Sequence, residues 1–317
     1  MNDTNLIIII IGIILFAIIL LIFITTLICY LMAFHNKNKP IIEDKDEIIL
    51  PNFEMYRTYK NEIIQDIKAA RAMHSEEFSI KSFDNLTLYA RYFETFKGAP
   101  IEIMFHGYRG SGERDLSTGI RRARLCGRNA FIVDQRAHGK SEGHTISFGI
   151  NERLDCLEWI KFVINHFGSD VKIVLTGISM GAATVMMASN LDLPKNVIGI
   201  LADCGYESPK EIISKYITDL KLPSKLFYPF VKLAAKIFGK FNLESASAIE
   251  SVKTCKVPLI LIHGTIDSMV PYEHSINIYT ACTSEKKLVL IENAEHGVSY
   301  MFDPNTYVNE LNSFIKN

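Results

Sequence analysis

Apolar residues occur along this chain as one long N-terminal block followed by many short runs. Residues 6–34 contain no charged side chain and open with a run of leucine and isoleucine. At a rise of about 1.5 Å per residue a helix over this block is about 43 Å long, whereas the hydrocarbon core of a bilayer is about 30 Å thick. The pattern therefore predicts a transmembrane anchor over residues 1–36, tilted or with one end at the interface.

A cleaved secretory signal peptide is the alternative for this block. Such a peptide needs a basic segment, a shorter apolar core and small residues at its cleavage site. No lysine or arginine precedes the block, and the block is too long, so we favour an uncleaved anchor. Lys37 and Lys39 follow it, whereas only Asp3 precedes it. The positive-inside rule then predicts that the rest of the chain lies in the cytoplasm.

The composition changes after the anchor. Residues 40–51 are polar, acidic and bounded by proline, which predicts a linker over residues 37–53. Residues 54–72 then carry apolar side chains at helical spacing. This predicted helix begins a folded domain over residues 54–317.

Short apolar runs alternate with segments of helical periodicity in the rest of the chain. The later runs are continuously apolar, as is typical of strands buried on both faces of a parallel sheet. The alternation predicts the α/β class, with a mostly parallel eight-stranded sheet and helices on both faces. The predicted strands are 76–83, 86–93, 101–105, 130–133, 171–175, 197–202, 259–262 and 288–291, and the predicted helices include 116–126, 148–166, 182–188, 272–282 and 300–315.

An insertion at about residues 206–257 interrupts the alternation. Within it, Pro229 suits the first position of a helix and Gly239 suits the residue beyond its end. Apolar residues form a stripe on one side of this helix, and lysines occupy the other side. The insertion is therefore predicted to be a helical cap that follows the sixth strand.

Composition argues against several kinds of partner and cofactor. The chain has 317 residues and a formal net charge of −1, which gives no reason to expect nucleic acid as a partner. Its six cysteines are scattered, without a C-x-x-C motif or a cysteine–histidine cluster, so no zinc site is predicted. Cysteines on apolar stretches are most simply buried thiols, which fits a reducing compartment.

The most informative motif is Gly-Ile-Ser-Met-Gly at residues 177–181, with Ser179 at its centre. It lies between a predicted strand and a predicted helix of small residues. In that context G-x-S-x-G is a nucleophile elbow, where glycine avoids collisions with the neighbouring backbone. The serine then stands at a helix N-terminus, where free N–H groups favour a developing negative charge.

Partners for Ser179 are expected at the carboxyl ends of the strands, where functional groups collect in open α/β sheets. Asp267 follows the seventh predicted strand, and His296 follows the eighth. The order serine, aspartate, histidine is the one expected for an elbow nucleophile. The imidazole takes the serine proton, and the carboxylate fixes the imidazole tautomer. We predict a triad of these three residues, which needs no metal or organic cofactor.

Other residues compete for two of these roles. Asp203 follows the sixth predicted strand and Glu295 is adjacent to the histidine, so either is an alternative carboxylate. We favour Asp267, because Asp203 leads into the insertion. The chain has nine histidines, and His263, at the end of a predicted strand, is expected to fix a loop by hydrogen bonds.

An oxyanion hole needs two hydrogen-bond donors beside the nucleophile. The backbone N–H of Met180, directly after Ser179, is predicted to be one of them. The other is expected from the loop at residues 106–112, which follows the third predicted strand, and there we choose the Tyr108 N–H.

With these residues the chain resembles the α/β-hydrolase superfamily over residues 76–317. The R-x-H-G-x-S pattern is similar to a loop of the branch that contains monoacylglycerol lipases and serine aminopeptidases. The resemblance implies a Ser/Asp/His esterase with a cap after the sixth strand; the oxyanion loop is His-Gly-Tyr here, unlike the HGGG form of some lipases. The segments and residues that carry the resemblance are 106–107, 134–141, 177–181, Asp267 and His296.

The resulting expectation is a membrane-anchored serine hydrolase that cleaves carboxylic esters through an acyl-enzyme on Ser179. Its substrate would be an acylglycerol, a lysolipid or a thioester presented at a bilayer that residues 6–34 span. One alternative is a serine peptidase of the aminopeptidase type, which would use a cap carboxylate to bind an ammonium group; the candidates are Glu207, Glu211, Asp219 and Glu244. The other is a non-catalytic scaffold of the same fold.

The cap helix itself has three interpretations. An apolar stripe at helical spacing is most often part of a core. The stripe could also pack as a lid over an acyl pocket. In a third interpretation Lys232, Lys236 and Lys240 of such a lid contact anionic lipid headgroups.

Overall fold

The computed structural model describes residues 3–37, 48, 50 and 57–317. Most of the predicted linker, residues 37–53, and the start of the helix predicted at 54–72 lie outside the described residues. The rest of that helix is present as Lys60–Ala72.

The domain is built on one sheet of eight strands in the order β1-β2-β4-β3-β5-β6-β7-β8. The strands β1 and β2, and β2 and β4, pair antiparallel, and every other neighbouring pair is parallel. The α/β-hydrolase fold with a mostly parallel eight-stranded sheet is thereby confirmed. The strands are β1 Glu76–Lys81, β2 Thr87–Phe93, β3 Ile101–Phe105, β4 Asn129–Asp134, β5 Ile173–Ile178, β6 Val197–Asp203, β7 Leu259–Gly264 and β8 Lys286–Ile291.

Burial along the strands follows their apolar pattern. All residues of β3 and β7 are buried, as expected for central strands covered by helices on both faces. The edge strand β1 has no fully buried residue. Parallel central strands bring their carboxyl ends to one edge of the sheet, and the candidate site lies at that edge.

Helices surround the sheet, and their ends follow local chemistry. The hydroxyl of Ser111 caps the helix after β3 by accepting the Arg114 N–H, and Asp303 caps the last helix by accepting the Thr306 N–H. The helices are α1 Asp3–Ala33, α2 Lys60–Ala72, α3 Gly112–Leu125, α4 Glu152–Phe167, α5 Met180–Ala188, α6 Pro209–Asp219, α7 Ser224–Ile237, α8 Ala248–Ser251, α9 Glu273–Ala281, α10 Ser299–Phe302 and α11 Pro304–Phe314.

Several predicted helix boundaries are wrong. The helix expected at 116–126 starts earlier, at Gly112, and the helix expected at 148–166 starts later, at Glu152. The single helix expected at 300–315 is interrupted at Asp303, because Pro304 starts a new helix there. Pro229 lies inside α7, whose first residue is Ser224, rather than at the first helical position. The residues before the proline are helical because they also pack against the core. Tyr228 is buried there, and its burial offsets the loss of the hydrogen bond that the proline cannot donate. Gly239 does lie just beyond the end of α7.

The helices α6, α7 and α8 form the insertion between β6 and β7, which confirms a cap after the sixth strand. On its inner side α7 contributes Val231 and Ala234 to the hydrophobic core. Leu226 and Ile237 of the same helix remain exposed. The helix is therefore partly a core element and partly an apolar surface.

Among the described residues, one helix, α1, is long and apolar enough to cross a membrane. Its N-terminal part is exposed on all sides, whereas its C-terminal part packs against α7. Directly after it, Phe34 is completely buried, with its ring centroid 5.8 Å from that of Phe148 and 5.4 Å from that of Phe241. The end of α1 is thus joined to the core of the hydrolase domain.

We expect Phe34→Ala to lower the free energy of unfolding by about 3–5 kcal/mol, since it removes a buried aromatic ring and leaves a cavity. Chemical unfolding of the full chain in detergent micelles measures this change. Phe16→Ala is the matched control, because Phe16 lies in α1, which directly precedes Phe34, and is 67% exposed within the protein. Equal changes in unfolding free energy for the two variants would contradict the burial of Phe34 against the core.

Candidate active site

Ser179 lies at the sharp turn between β5 and α5. Its backbone dihedrals are φ 56° and ψ −115°, a strained conformation for a residue with a side chain. A Cβ atom on Gly177 would lie 2.1 Å from the Gly181 carbonyl, and one on Gly181 would lie 2.0 Å from the Phe105 carbonyl oxygen. Both flanking positions therefore require glycine, as the elbow motif predicts.

The turn is also held from the next strand. The Ser179 N–H donates to the Asp203 carbonyl oxygen at 2.9 Å. Met180, the first residue of α5, has a backbone N–H without an acceptor inside the helix, because the first N–H groups of any helix have none. This N–H and the positive end of the helix dipole lie beside the serine.

Asp267 and His296, which follow β7 and β8, are in direct contact. His296 Nδ1 lies 2.7 Å from Asp267 Oδ2. The other carboxylate oxygen of Asp267 accepts the N–H groups of Met269 and Val270 at 2.9 and 2.8 Å. The carboxylate is therefore fixed in orientation on one side by backbone and on the other by the imidazole.

The pKa of Asp267 is held well below its usual range. Burial alone would raise this pKa, but the nearby His296 and the hydrogen bonds from His263, His296 and the Val270 N–H outweigh burial. Asp267 is consequently an anion at neutral pH. An anionic acceptor at this position favours the imidazole tautomer with its proton on Nδ1 and leaves Nε2 free to accept one.

His263 makes a second contact with the same carboxylate. Its Nε2 lies 3.1 Å from Asp267 Oδ2 and 2.8 Å from the Val270 carbonyl oxygen, and its Nδ1 lies 2.7 Å from Ser275 Oγ. It fixes the loop that carries Asp267, as the sequence suggested. Its position beside the carboxylate was not predicted, and the four-residue spacing between His263 and Asp267 was the only available signal.

The competing carboxylates have other partners. Asp203 Oδ2 accepts the Tyr307 hydroxyl at 2.9 Å, and burial raises the pKa of Asp203. Glu295 Oε2 lies 3.3 Å from both the backbone N and the hydroxyl of Ser268. The carboxylate at hydrogen-bonding distance from the His296 ring is that of Asp267.

A cavity of about 150 Å³ joins the candidate residues. Ser179, His296 and Tyr108 line it on the side of the strand ends, and Tyr216 of the cap contributes to its wall. The cavity extends between the sheet and α3 to the polar side chains of Arg122 and Asp203. Asp267 lies behind the histidine.

The loop after β3 borders Ser179 closely. A Cβ atom on Gly107 would lie 3.6 Å from Ser179 Cβ. The Arg109 N–H donates to His138 Nε2 at 3.0 Å, and the Gly110 N–H donates to the Gly107 carbonyl oxygen at 3.1 Å. These two amides are engaged within the loop region, whereas Gly107 borders Ser179 and Tyr108 lines the cavity, so the amides of these two residues are candidates to face a substrate.

One group of potential metal ligands occurs in the part of the chain that the structure describes. Ligand atoms of Cys204, Asp267 and His296 lie within 4.8 Å of one another. Burial raises the pKa of the Cys204 thiol well above its usual value, so the thiolate that a metal would need is disfavoured. The aspartate and histidine atoms already contact each other, and the donor set fits a hydrogen-bonded pair better than a metal site.

The sheet topology, the cap and the elbow define a hydrolase of the α/β-hydrolase fold. The family model described as "Prolyl oligopeptidase family" matches residues 146–317. The chain belongs to this family. The α/β-hydrolase resemblance expected from the sequence is confirmed.

Solved structures show the same fold. The esterase Pf2001 of Pyrococcus furiosus superposes with a TM-score of 0.61 at 23% identity, covering 86% of this chain and 98% of that one. The acylaminoacyl peptidase of Pyrococcus horikoshii gives a TM-score of 0.56 at 17% identity, covering 79% of this chain and 43% of that one. At these identities the likeness concerns the fold.

Sequence relatives match over part of their length. YqkD of Bacillus subtilis (strain 168) is 26% identical over 192 residues, which are 60% of this chain and 63% of that protein. YfhR of Escherichia coli O157:H7 is 29% identical over 171 residues, 53% of each chain. Protein bem46 of Schizosaccharomyces pombe (strain 972) is 23% identical over 222 residues, 68% of each. The chain thus spans less than two thirds of the first two relatives.

Proposed function

We propose that this hydrolase is a membrane-anchored serine esterase that cleaves carboxylic esters through an acyl-enzyme on Ser179. The observation that carries the proposal is the 2.7 Å contact between His296 Nδ1 and Asp267 Oδ2, at a cavity that both Ser179 and His296 line. The carboxylate contacts the imidazole, and the elbow serine lines the same cavity as the imidazole, so three separate strand ends contribute to this edge of the sheet. This combination activates a hydroxyl for acyl transfer.

The proposed cycle has two halves. Ser179 Oγ attacks the ester carbonyl while His296 Nε2 accepts its proton, and His296 then donates that proton to the departing alcohol. In the second half, a water molecule loses a proton to His296 and attacks the acyl-enzyme, which releases the acid and restores Ser179. Asp267 stabilises the imidazolium in both halves without taking up a proton itself.

The oxyanion formed in each half would be held by two backbone donors. The Met180 N–H is favoured by its place at the start of α5, and the Tyr108 N–H by the engagement of the next two loop amides. Each such donor typically contributes about 2.7–4 kcal/mol to lowering the barrier.

An ester is favoured over a peptide because three of the four candidate cap carboxylates are engaged within the protein. Glu244 is paired with Lys232 and accepts the Tyr228 hydroxyl, Glu207 accepts from Asn277, and Asp219 is paired with Lys215. Carboxylates engaged in this way are poorly placed to bind the ammonium group that an aminopeptidase recognises. The peptidase alternative retains support from the family and from the acylaminoacyl peptidase of the same fold.

The anchor is favoured over a cleaved signal peptide by its packing. Removal of α1 would take away Tyr30, whose ring contacts Phe238 of the cap, and cleavage beyond the helix would also remove the buried Phe34. With Lys37 and Lys39 following the helix, we propose a single-pass protein whose hydrolase domain is cytoplasmic. An acylglycerol, lysolipid or thioester at the bilayer surface is then the substrate class.

The lid hypothesis for the cap gains support from Tyr216, which lines the cavity from α6. The hypothesis that the cap lysines contact anionic lipid headgroups has weaker support. Lys232 is paired with Glu244, so Lys236 and Lys240 remain as the candidates from that face. The cap would therefore act mainly through apolar contact with the acyl group.

The test is a panel of p-nitrophenyl esters of increasing chain length and of aminoacyl p-nitroanilides, given to the full chain in nanodiscs. We expect hydrolysis of the esters and covalent labelling of Ser179 by a fluorophosphonate. A preference for the anilides would contradict the esterase function and favour the peptidase alternative. Absence of labelling at Ser179 in the folded protein would favour the scaffold.

A further inference from the structure

The candidate oxyanion loop is bonded to the carboxyl end of the anchor helix. The Tyr108 hydroxyl donates to the Ala33 carbonyl oxygen at 2.9 Å. Arg109 Nη2 donates to the carbonyl oxygens of Met32 at 2.8 Å and His35 at 3.2 Å. The last carbonyls of a helix lack partners within the helix and carry the negative end of its dipole, so a guanidinium is a well-matched partner for them.

Arg109 itself has a backbone conformation that needs support. Its φ is 53°, in the left-handed region that a residue with a side chain rarely adopts. Its guanidinium carbon lies 5.0 Å from the centroid of the Tyr108 ring, and its backbone N–H is held by His138. The side chain and the backbone of Arg109 are therefore fixed from opposite sides, one by the anchor and one by the domain.

The end of the anchor is in turn fixed to the domain by contacts that do not involve this loop. The Phe34 carbonyl oxygen accepts the Ile146 N–H at 2.8 Å, and Asn36 Nδ2 donates to the Ala137 carbonyl oxygen at 2.8 Å. The carbonyls that receive Arg109 thus have a defined position relative to Ser179.

We propose that Arg109 is a positioning residue that ties the oxyanion loop to the carboxyl end of α1, so that the oxyanion hole is complete only with the anchor in place. The inference rests on the proposed function for the role of the loop. Arg109 is not among the residues that line the cavity, so it acts through the backbone by fixing the position of the preceding residue, Tyr108, whose N–H is the proposed donor. The anchor is then part of the catalytic architecture as well as a membrane attachment.

The kinetic test compares Arg109→Ala, Arg109→Lys and Tyr30→Phe in the full chain in phosphatidylcholine nanodiscs, with p-nitrophenyl butyrate as substrate. A displaced donor costs rate rather than substrate affinity, so we expect Arg109→Ala to lower kcat by about 10- to 100-fold with little change in KM. Arg109→Lys should retain part of the wild-type kcat, since an ammonium group can bind one carbonyl oxygen but lacks the planar guanidinium that binds two. Tyr30→Phe removes the 2.8 Å bond between the Tyr30 hydroxyl and Thr145 Oγ1 but leaves the bonds of Phe34 and Asn36 that hold the end of the anchor, so it should keep the wild-type kcat.

Hydrogen exchange of the Arg109 and Gly110 amides gives a readout that does not require activity. We expect exchange at both amides to rise by about tenfold in Arg109→Ala and to stay unchanged in Tyr30→Phe. If Arg109→Ala fails to fold, Tyr108→Phe removes the neighbouring bond to Ala33 and carries the same test with a smaller effect.

The outcomes separate this inference from the proposed function. If the wild-type protein has no esterase activity but the loop amides exchange faster in Arg109→Ala, the proposed function is wrong and the positioning role of Arg109 stands. If the wild type is active and Arg109→Ala and Tyr30→Phe have equal kcat and equal amide exchange, the positioning role of Arg109 is wrong and the esterase function stands. A rise in KM alone would also overturn it, because that result assigns Arg109 to substrate binding.

Discussion

Replacing Ser179 by alanine is expected to lower kcat for ester hydrolysis by about a million-fold, to a residual rate supported by binding and the oxyanion hole alone. In the proposed cycle the hydroxyl oxygen forms the acyl-enzyme, and the thiol of the nearby Cys204 is a poor substitute because burial raises its pKa well above the usual value. Burst kinetics with p-nitrophenyl butyrate and fluorophosphonate labelling measure the loss, and both the burst and the label should vanish.

Ser251→Ala is the matched control for this prediction. Ser251 is also a buried serine, and its hydroxyl has no hydrogen-bond partner among the described residues. Its replacement should leave kcat and labelling at wild-type values. Retention of most of the activity in Ser179→Ala would transfer the nucleophile to another residue, and the acyl-enzyme on Ser179 would have to be abandoned.

The elbow could be predicted from sequence because its requirements are local. Gly177 and Gly181 are needed by contacts within a few residues of Ser179 and by the strand beside it, and the motif contains all of that information. The placement of Asp267 and His296 followed from topology, since both come directly after strands whose carboxyl ends share one edge. Their contact is a consequence of β7 and β8 being neighbours in the sheet.

Other features could not be predicted because they depend on long-range packing. The bonds from Tyr108 and Arg109 to the end of α1 join residues that are more than 70 positions apart. Nothing in the local pattern of the loop indicates that its acceptors are helix carbonyls. The start of α7 was missed for a related reason: the helix propensity of a proline was outweighed by burial of Tyr228, which a single sequence does not reveal.

The second large effect is expected from Asp267→Asn, which should lower kcat by about ten-thousand-fold while the fold is retained. The reason lies in the contacts of the two carboxylate oxygens. Oδ1 accepts two backbone N–H groups, from Met269 and Val270, so the oxygen of an asparagine amide must occupy that position. Its NH₂ group is then forced into the place of Oδ2, against the rings of His296 and His263.

An amide NH₂ at this position donates to His296 Nδ1 and so selects the tautomer with the proton on Nε2. That tautomer cannot accept the proton of Ser179, and the imidazolium also loses its anionic partner. Asp203→Asn is the matched control, because Asp203 is equally buried and bonded to a tyrosine hydroxyl but does not contact the histidine ring. It should change kcat by less than about tenfold. Both variants are measured with the same ester, and their unfolding midpoints are compared. A larger loss of kcat in Asp203→Asn than in Asp267→Asn would assign the role of the triad carboxylate to Asp203.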